Sequence, residues 1–352
     1  MRDEAGDNRV AITLHDVARV AGVSSKTVSN VINDFPHVRA TTRARVREAI
    51  DELGYRPNLS ARSLRSGRTG VIGLIVPELR LSYFAELTDA VIKAAERHGQ
   101  VVLVEQTNGD RTRELEALTS PRVQFSDGVL FSPLGMGNED VAALNVSYPL
   151  VLLGERIFGG PVDHVTMQNV RAARAATEHL IAQGRRRIAV VGAHEGEVIG
   201  SAGLRLAGYR EALVAAGIAF DPALIVYTTL WHRANGATAM RELLASGVRF
   251  DAVFALNDTL ALGSMRVLQE SGLTIPADVA VIGFDDLDEA RYTLPALSTI
   301  DPGRTEIAET AVRVLLERIS GTLEDPAPRE FLADFSVVVR ESSAARESPI
   351  SV

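Results

Sequence analysis

The 352-residue chain contains no cysteine, which excludes disulfide bonds, thiolate metal ligands and cysteine nucleophiles. A chain without disulfides fits a reducing compartment. Long hydrophobic runs are also missing, so no segment reaches the length of a transmembrane helix. The N-terminal residues MRDEAGDNRV are polar, and no apolar signal-peptide stretch follows them. We therefore expect a cytoplasmic protein with a disordered tail at residues 1–10 and a C-terminal tail at residues 341–352.

Motifs of catalysis are lacking as well. The seven histidines show no metal-binding spacing such as His-Glu-x-x-His, and no phosphate-binding loop with Gly-Lys-Ser/Thr occurs. The nucleophile elbow Gly-x-Ser-x-Gly is absent. Asp285 and Asp286 are adjacent, and adjacent side chains on an extended segment point to opposite sides, so they do not by themselves form a glycosidase pair. We expect no enzymatic activity, no cofactor and no metal.

The net charge of −8 is unevenly distributed. Residues 9–69 contain eleven Arg or Lys against five Asp or Glu, whereas residues 70–352 contain twenty-five against thirty-seven. A basic head on an acidic body indicates that only the head contacts a polyanion. For this feature alone, a chance unevenness of surface charge is the alternative. The length predicts two or three structural units.

The basic head begins with the pattern of a short helix. Thr13 and Asp16 form a capping box, and an apolar side built from Val and Ala continues up to Gly22, which ends the helix. Only Val23 separates this glycine from Ser24, a good N-cap for a second helix. Two short helices joined by a tight glycine turn have the spacing of a helix-turn-helix.

A third helix follows, with Thr41 or Thr42 as its predicted cap and Gly54 at its end. Apolar residues recur at helical spacing on one side, and the opposite side is basic. The apolar positions are Val46, Ala49, Ile50 and Leu53, and the basic positions are Arg43, Arg45 and Arg47. Three short helices around an apolar centre predict a small DNA-binding bundle, although a purely structural bundle has the same pattern. Residues 55–70 are too short for a stable isolated helix and indicate a linker that could order on a partner.

The segment from Ile12 to Pro77 resembles the head and hinge of the lactose-repressor (LacI/GalR) family of bacterial transcription regulators. The resemblance is collinear and rests on the motifs DVARVAGVS, TVSNVIN, GYRPN and ARSL. It implies a helix-turn-helix DNA-binding domain at residues 11–57, with a recognition helix in the major groove at residues 24–32. The base-reading positions would be held by Ser25, Lys26 and Asn30. Contacts to the DNA backbone, which set register rather than sequence, would come from Thr27, Ser29, His37, Arg39 and Thr42.

The side-chain chemistry agrees with these roles, because Lys26 can donate to guanine and Asn30 can pair with adenine. By the same resemblance, residues 58–69 are a hinge helix, capped by Asn58 or Ser60. Its Leu64 would wedge into a minor-groove step and kink the DNA; packing of this leucine against the body is the alternative. The candidate DNA contacts of the hinge are Asn58, Arg62, Leu64 and Arg65.

From Val71 onward, apolar runs alternate with helical stretches. Near-continuous apolar strands between helices predict parallel sheets covered on both faces, and their number predicts two lobes. The predicted strands are at 71–76, 100–105, 127–131, 149–153, 187–192, 223–227, 251–256 and 279–285, and the first predicted helices are at 83–98, 113–118 and 139–146. The fold class is an all-α head plus an α/β body. The resemblance implies a two-lobed periplasmic-binding-protein-like fold for that body.

By the resemblance, residues 70–340 bind an effector and dimerise. The N-lobe would span about 70–170 plus 300–330, and the C-lobe about 171–299. Ligands of such folds bind where strands end, in the cleft between lobes. The candidate effector contacts are Tyr83, Phe84, Ser201, Arg205, Trp231, Asn257 and Asp285.

Arg205 and Asp285 can bind vicinal hydroxyls through charge-assisted hydrogen bonds, and Trp231 could stack on a sugar face or a base. Each position also has a structural alternative. Asn257 would cap a helix, the aspartates at 285 and 286 would cap a turn, and Trp231 would belong to the core.

Two departures from the sugar-binding pattern of the family indicate that the pocket is not that of the lactose repressor itself. Gly154, beside Glu155, follows the fourth strand, and the sequence 301–304 is Asp-Pro-Gly-Arg. The resemblance implies a homodimeric repressor of a pseudo-palindromic double-stranded operator, controlled by a small ligand. A sugar is the commonest effector of the family. A purine or another metabolite acting as a corepressor, or a cytoplasmic solute-binding protein that does not bind DNA, are the alternatives.

Overall fold

The computed structural model describes residues 12–32, 35–55, 68–323 and 325–344. The chain forms two compact units, residues 1–69 and residues 70–352, which we call the head and the body.

The three helices of the head begin and end largely at the predicted residues. They are α1 (Leu14–Ala21), α2 (Ser25–Ile32) and α3 (Ala40–Leu53). The Asp16 amide donates to Thr13 Oγ1 at 3.3 Å, and the Thr13 amide donates to Asp16 Oδ2 at 3.0 Å, so the capping box is present. Gly22 adopts a left-handed φ of 62°, which ends α1. Ser24 Oγ accepts the Thr27 amide at 3.1 Å at the start of α2, and the helix-turn-helix is confirmed.

The start of α3 differs from the prediction. Arg39 is the N-cap residue and makes no side-chain capping bond, so Thr41 and Thr42 lie inside the first turn rather than capping it. The Arg43 guanidinium donates to the Phe35 carbonyl at 2.9 Å, which connects this first turn to the preceding loop. The predicted threonine cap is therefore wrong, and α3 begins without a side-chain capping bond. The core of the head contains Val17, Ala18, Ala21, Val28, Val31, Val46, Ala49 and Tyr55.

The first lobe of the body is built on a six-stranded parallel sheet. Its strands are β1 (Val71–Val76), β2 (Val101–Gln106), β3 (Val129–Phe131), β4 (Leu150–Leu153), β5 (Asp163–Met167) and β11 (Glu330–Ala333). Their order is β11-β5-β4-β3-β1-β2. One face is covered by α4 (Ser82–Glu96) and α10 (Arg304–Ser320), and the other by α5 (Arg111–Leu118) and 3₁₀ helices at 123–125 and 138–144. Leu74 of β1 packs on the first face and Ile75 on the second, as expected for a parallel sheet.

The second lobe is built on a four-stranded parallel sheet. Its strands, in the spatial order β7-β6-β8-β9, are β6 (Ile188–Ala193), β7 (Ile225–Tyr227), β8 (Ala252–Ala255) and β9 (Ala280–Ile282). Helices α6 (Asn169–Ala182) and α7 (Ser201–Ala215) cover one face, and α8 (Arg233–Ala245) and α9 (Asp258–Glu270) cover the other. Short 3₁₀ helices lie at 222–224 and 288–291.

The chain passes between the lobes three times. It passes from β5 into α6, from β10 (Thr299–Asp301) into α10, and back along β12 (Ser336–Val338), which pairs antiparallel with β10. After β12, the Ser342 amide donates to the Ala296 carbonyl at 2.9 Å and the Ser342 hydroxyl donates to the Val281 carbonyl at 2.7 Å. Residues 341–344, assigned above to the C-terminal tail, are therefore packed on the second lobe, because their polar groups complete its hydrogen bonding. The late segment of the first sheet likewise extends beyond residue 330, to Ala333.

Four strands, β5, β10, β11 and β12, have no counterpart among the predicted ones. The reason is clear at β5, where polar residues interrupt the apolar run. Asp163 is buried, and its carboxylate accepts two bonds of 2.7 Å from Arg318. Burial raises the pKa of Asp163, but hydrogen bonds from Arg318 and Arg329 outweigh it, and the net pKa is lowered. Hydropathy patterns do not reveal such pairing. The helix predicted at 139–146 is the 3₁₀ helix at 138–144.

Candidate DNA-binding surface and ligand cavity

The α2 helix has a buried side and an accessible side. Val28 and Val31 are buried in the head core, whereas Lys26 is exposed and Ser25 and Asn30 are half-buried. The three predicted base-reading residues therefore lie off the apolar side of the helix. Small hydroxyl neighbours leave room for close approach to a groove.

The predicted backbone contacts lie around the two helix starts. The Ser24 and Thr27 hydroxyls are 2.9 Å apart, so the cap of α2 already engages Thr27. His37 and Arg39 are exposed in the loop before α3, and Thr42 is half-buried in its first turn. Ser29 is half-buried on α2. The predicted hinge contacts lie outside the described residues and stay a prediction from the sequence: Asn58, Arg62, Leu64 and Arg65.

A cavity of about 360 Å³ lies between the lobes of the body, where the parallel strands of both sheets end. The loops after β1, β3 and β4 form its wall on the first lobe, and the loops after β6, β7, β8 and β9 form its wall on the second. The structure brings all the predicted effector contacts together in its lining, which includes Tyr83, Phe84, Ser201, Arg205, Trp231, Asn257 and Asp285.

Arg205 is 3% exposed at the floor of the cavity, and three neighbouring groups hold its guanidinium. Its Nε donates to Asn169 Oδ1 at 2.8 Å, a second nitrogen donates to the Leu256 carbonyl, and a third lies 3.4 Å from the Met167 sulfur. The guanidinium also lies 3.6 Å from the centre of the Phe284 ring. A planar cation held on one face and along its edge has a fixed orientation toward a bound molecule.

Asp285 lies 3.8 Å from Arg205 and has a left-handed φ of 119°, which orients its buried carboxyl toward the cavity. Burial raises the pKa of Asp285 to about 7, although Arg205 and Arg304 partly oppose the rise. Asp286 is directed elsewhere, since its carboxylate accepts bonds from Arg340 at 2.5 Å and Arg291 at 3.2 Å. The two adjacent aspartates thus have different partners, although their positive φ values of 119° and 46° show that the segment is not extended as the sequence argument assumed.

For Asn257 and Trp231, the structural alternatives are observed together with the position in the cavity. Asn257 Oδ1 accepts the Leu260 amide at 2.8 Å and caps α9, and its Nδ2 donates to the Trp231 carbonyl at 3.3 Å. The Trp231 indole donates to the Gly192 carbonyl at 2.8 Å and stands 5.3 Å from the Arg205 guanidinium. The half-buried Trp231 ring is therefore a fixed wall rather than a mobile side chain.

Tyr83 and Ser201 lie on the two sides of the cavity. The Tyr83 and Phe84 rings meet edge to face at 5.3 Å, and burial, then the nearby carboxyls of Glu155 and Asp285, raise the pKa of Tyr83. The tyrosine therefore stays a neutral hydroxyl at physiological pH. The Ser201 hydroxyl donates to Glu155 of the other lobe, so this pair spans the cleft.

Several polar residues of the cavity were not among the predicted contacts. Thr166 Oγ1 and His194 Nε2 are buried and have no hydrogen-bond partner among the described residues. His194 Nδ1 lies 2.8 Å from Glu197. Burial raises the pKa of Glu197, but bonds from His194 and the Gly203 amide outweigh it, so the net pKa is lowered. The position of Thr166 at the end of β5 was the available signal, but β5 itself was not predicted.

A polar contact closes the cleft near its rim as well. His232 Nε2 of the second lobe lies 3.2 Å from Glu78 of the first. Asp288 donates its amide to Glu86 of α4 at 3.1 Å, and the Arg304 guanidinium at the start of α10 donates to the Asp285 carbonyl at 2.7 Å. These bonds join the lobes on the side where residues 288–291 lie, so opening of the cleft would break them.

Within the part of the chain that the structure describes, no cluster of three metal-binding side chains occurs, and no helix is long and apolar enough to cross a membrane. A helix-turn-helix head and a two-lobed body with a polar cavity are the architecture expected of a DNA-binding protein that carries a small-molecule domain.

Comparison with known proteins narrows this class. Residues 13–58 match the bacterial regulatory proteins of the lacI family, and residues 177–343 match a periplasmic binding protein-like domain. The HTH-type transcriptional regulator CelR of Thermobifida fusca is 36% identical over 339 residues, which cover 94% of this chain and 98% of CelR. The chain therefore belongs to the lacI family and is a DNA-binding transcriptional regulator.

Two solved structures show how far the similarity extends. A CelR–cellobiose complex is 33% identical, covers 94% of this chain and 99% of its own, and superposes with a TM-score of 0.69. The lac repressor dimer bound to operator and the anti-inducer ONPF is 29% identical, covers 96% and 100%, and superposes with a TM-score of 0.80. The predicted fold class and family are thus confirmed.

Proposed function

We propose that this regulator is a cytoplasmic homodimeric repressor that binds a pseudo-palindromic operator, and that a sugar in the cleft controls its affinity for that operator. The observation that carries the sugar assignment is the cavity, in which Arg205 and Asp285 lie within 3.8 Å of each other beside the Trp231 ring. A guanidinium and a carboxylate bind vicinal hydroxyls, and an aromatic ring covers the apolar face of a sugar. Similarity to a regulator solved with cellobiose supports the same ligand class.

The proposed homodimer matches the two-fold symmetry of a pseudo-palindromic operator. Two identical heads read two half-sites of opposite orientation, so the two-fold axis of the protein coincides with that of the operator. Similarity to the lac repressor dimer bound to operator supports this arrangement. Binding would be coupled reciprocally: a sugar that weakens operator binding must itself bind more weakly to the operator complex.

In the head, we assign base reading to Ser25, Lys26 and Asn30, and DNA-backbone contacts to the helix starts. The hinge residue Leu64 is proposed as the minor-groove wedge on the basis of the sequence. Leu64→Ala is expected to weaken specific operator binding much more than non-specific binding, because only the specific complex is kinked. An equal loss in both would assign this leucine another role.

A binding titration tests the DNA assignment. Fluorescence anisotropy with a palindromic operator should show affinity that falls steeply between 50 and 200 mM salt, by about a thousandfold or more for six to ten phosphate contacts. A flat salt response would contradict it.

A thermal-shift screen tests the ligand assignment, because a ligand present at 100 times its Kd stabilises the native state by about 2.7 kcal/mol. Cellobiose is the first probe, with other sugars and nucleobases as comparison compounds. A shift with a purine and none with any sugar would replace the sugar assignment with the metabolite alternative.

A further inference from the structure

The cavity differs in polarity from its floor to its mouth. The floor residues are almost fully buried and polar: Glu155, Thr166, Arg205 and Asp285. The mouth includes Leu134 of the first lobe and Leu230 of the second, which line the cavity and yet are 44% and 55% exposed. A ligand that reaches the mouth would remove these two apolar side chains from water, which is favourable.

The floor provides unused hydrogen-bonding capacity. Thr166 is 1% exposed, and its Oγ1 has no partner among the described residues, as is also true of His194 Nε2. A buried polar atom without a partner costs free energy, which a ligand hydroxyl would recover. Both residues line the cavity, where either atom can pair with a ligand hydroxyl.

The lining carries more acidic than basic side chains, which disfavours an anionic ligand. Four carboxylate side chains line the cavity, Glu78, Glu155, Glu197 and Asp285, against two guanidinium groups, Arg156 and Arg205. Both cations are already engaged. Arg205 binds Asn169 and the Leu256 carbonyl, and Arg156 donates to the Ile199 carbonyl at 3.0 Å and lies 3.6 Å from Glu197. A phosphate group would therefore meet more carboxyl groups than guanidinium groups, and Arg156 already lies close to Glu197.

The size of the cavity points beyond a single ring. About 360 Å³ lies within the range of roughly 300–1,000 Å³ found for sites that hold drug-sized ligands. A lone hexose has about half the heavy atoms of a disaccharide, so it covers less of a lining that runs from buried polar residues to exposed leucines.

We propose that the effector is an uncharged glycoside of at least two rings, with its inner ring on the polar floor and its second ring against Leu134 and Leu230. This inference rests on the proposed sugar effector and narrows it. Since the two leucines belong to different lobes, the second ring would also contact both sides of the cleft and favour its closed form.

Calorimetric titration of the full chain with matched sugars tests the proposal. The probes are glucose and cellobiose, galactose and lactose, xylose and xylobiose, and glucose 6-phosphate. In at least one pair the disaccharide should bind about tenfold more tightly than its monosaccharide, as expected for an added apolar contact of about 1.4 kcal/mol. The phosphate ester should bind at least tenfold more weakly than glucose or not at all.

Contrary results separate this inference from the sugar assignment. A monosaccharide that binds as tightly as its disaccharide, or a tightly bound sugar phosphate, would overturn the two-ring neutral ligand while leaving a sugar effector in place. Absence of binding by every sugar at millimolar concentration would overturn both.

Variants of the mouth give a second, independent readout. Leu230→Asn and Leu134→Asn should lower disaccharide affinity about tenfold and leave monosaccharide affinity unchanged. Leu332→Asn is the matched control, because Leu332 is 56% exposed on β11 and does not line the cavity. Equal losses for both sugars in the mouth variants, at unchanged Tm, would contradict the assignment of the second ring to the mouth.

Discussion

The head presents its candidate contacts on an accessible helix surface, whereas the body buries three of its own in the cleft, Arg205, Asn257 and Asp285. Lys26 is exposed and lies off the apolar side that buries Val28 and Val31. Arg205, by contrast, is buried and bonds to Asn169 and to a backbone carbonyl. A residue on the surface can be substituted with little loss of stability. A buried polar residue contributes to ligand binding and to the stability of the fold, so its substitution affects both.

This difference sets what mutations report in each unit. In the head, a substitution should change the affinity for DNA while leaving the stability of the protein nearly unchanged. For the buried polar residues of the cavity, a substitution that changes ligand affinity should also change stability, because these groups are already desolvated in the folded state. The exposed leucines of the mouth should behave as surface residues do.

The largest effect is expected for Arg205→Ala. The substitution leaves Asn169 Oδ1 and the Leu256 carbonyl without their donor, raises the pKa of Asp285 further so that this carboxyl is protonated, and opens a cavity, which together cost about 3–5 kcal/mol. We expect loss of the ligand response and a Tm lower by about 5–10 °C, with operator binding retained below the unfolding range. Calorimetry and thermal unfolding provide the measurements.

Arg266→Ala, on the exposed side of α9, is the control for Arg205→Ala, because its ion pair with Glu270 lies on the surface. A normal ligand response in Arg205→Ala would show that the ligand binds elsewhere.

The corresponding change in the head is Lys26→Ala. Loss of a contact to a base should lower operator affinity about ten- to hundredfold, since such contacts contribute about 1–3 kcal/mol. The Tm should stay within about 1 °C, because surface substitutions rarely change stability by more than about 0.5 kcal/mol. Anisotropy titrations with Lys93→Ala, an exposed lysine of α4, give the control. A large fall in Tm would end the contrast between head and body.

Asp285→Asn should show how much the buried carboxyl of Asp285 lowers the stability of the protein at neutral and higher pH. The folded-state pKa of about 7 lies above the ordinary value of 3.8, so the ligand-free protein loses stability as pH rises from about 4 through 7. Asparagine tolerates the left-handed φ of this position and cannot ionise. We expect the variant to be more stable than the natural chain at pH 8 by about 1–3 kcal/mol, with the difference shrinking toward pH 4. A difference in the free energy of unfolding between the two proteins that stays constant from pH 4 to pH 8 would contradict the raised pKa of Asp285.

The smallest effect distinguishes two threonines of the head. Thr13→Ala removes the capping bond of α1 and should cost about 1 kcal/mol. Thr41→Ala, inside the first turn of α3, should cost much less, because no capping bond is lost. Hydrogen exchange of head amides in the full chain measures both. Equal protection in the two variants would contradict the capping assignments.

The sequence was most informative where a signal is local. The capping box of Thr13 and Asp16, the left-handed Gly22 and the Ser24 cap each depend on residues within a few positions of one another. Strand ends were equally useful in the body, because parallel strands place the residues that follow them at one edge of the sheet. That rule, together with the family resemblance, predicted that Arg205 and Asp285 line the same cavity.

Other features escaped prediction because their partners are distant in sequence. Asp163 pairs with Arg318 and Arg329, which are more than 150 positions away in the sequence. Because these partners are not visible in the local pattern, β5 was not predicted, and neither was the role of Thr166 in the cavity. Thr41 and Thr42 suggested a cap, but α3 begins before both of them, with Arg39 as the N-cap residue and no side-chain capping bond. Arg43 in the first turn instead bonds to the Phe35 carbonyl of the preceding loop.

The sequence by itself determined the helix-turn-helix, the alternation of apolar strands with helices, and the residue types available for a cleft. Tertiary structure alone decided that Ser201 meets Glu155, that Thr166 lacks a partner, and that desolvation raises the pKa of Asp285. The physical reason is range: caps, turns and periodic faces depend on neighbouring residues, whereas burial and charge balance depend on which distant segments meet and how much water they exclude.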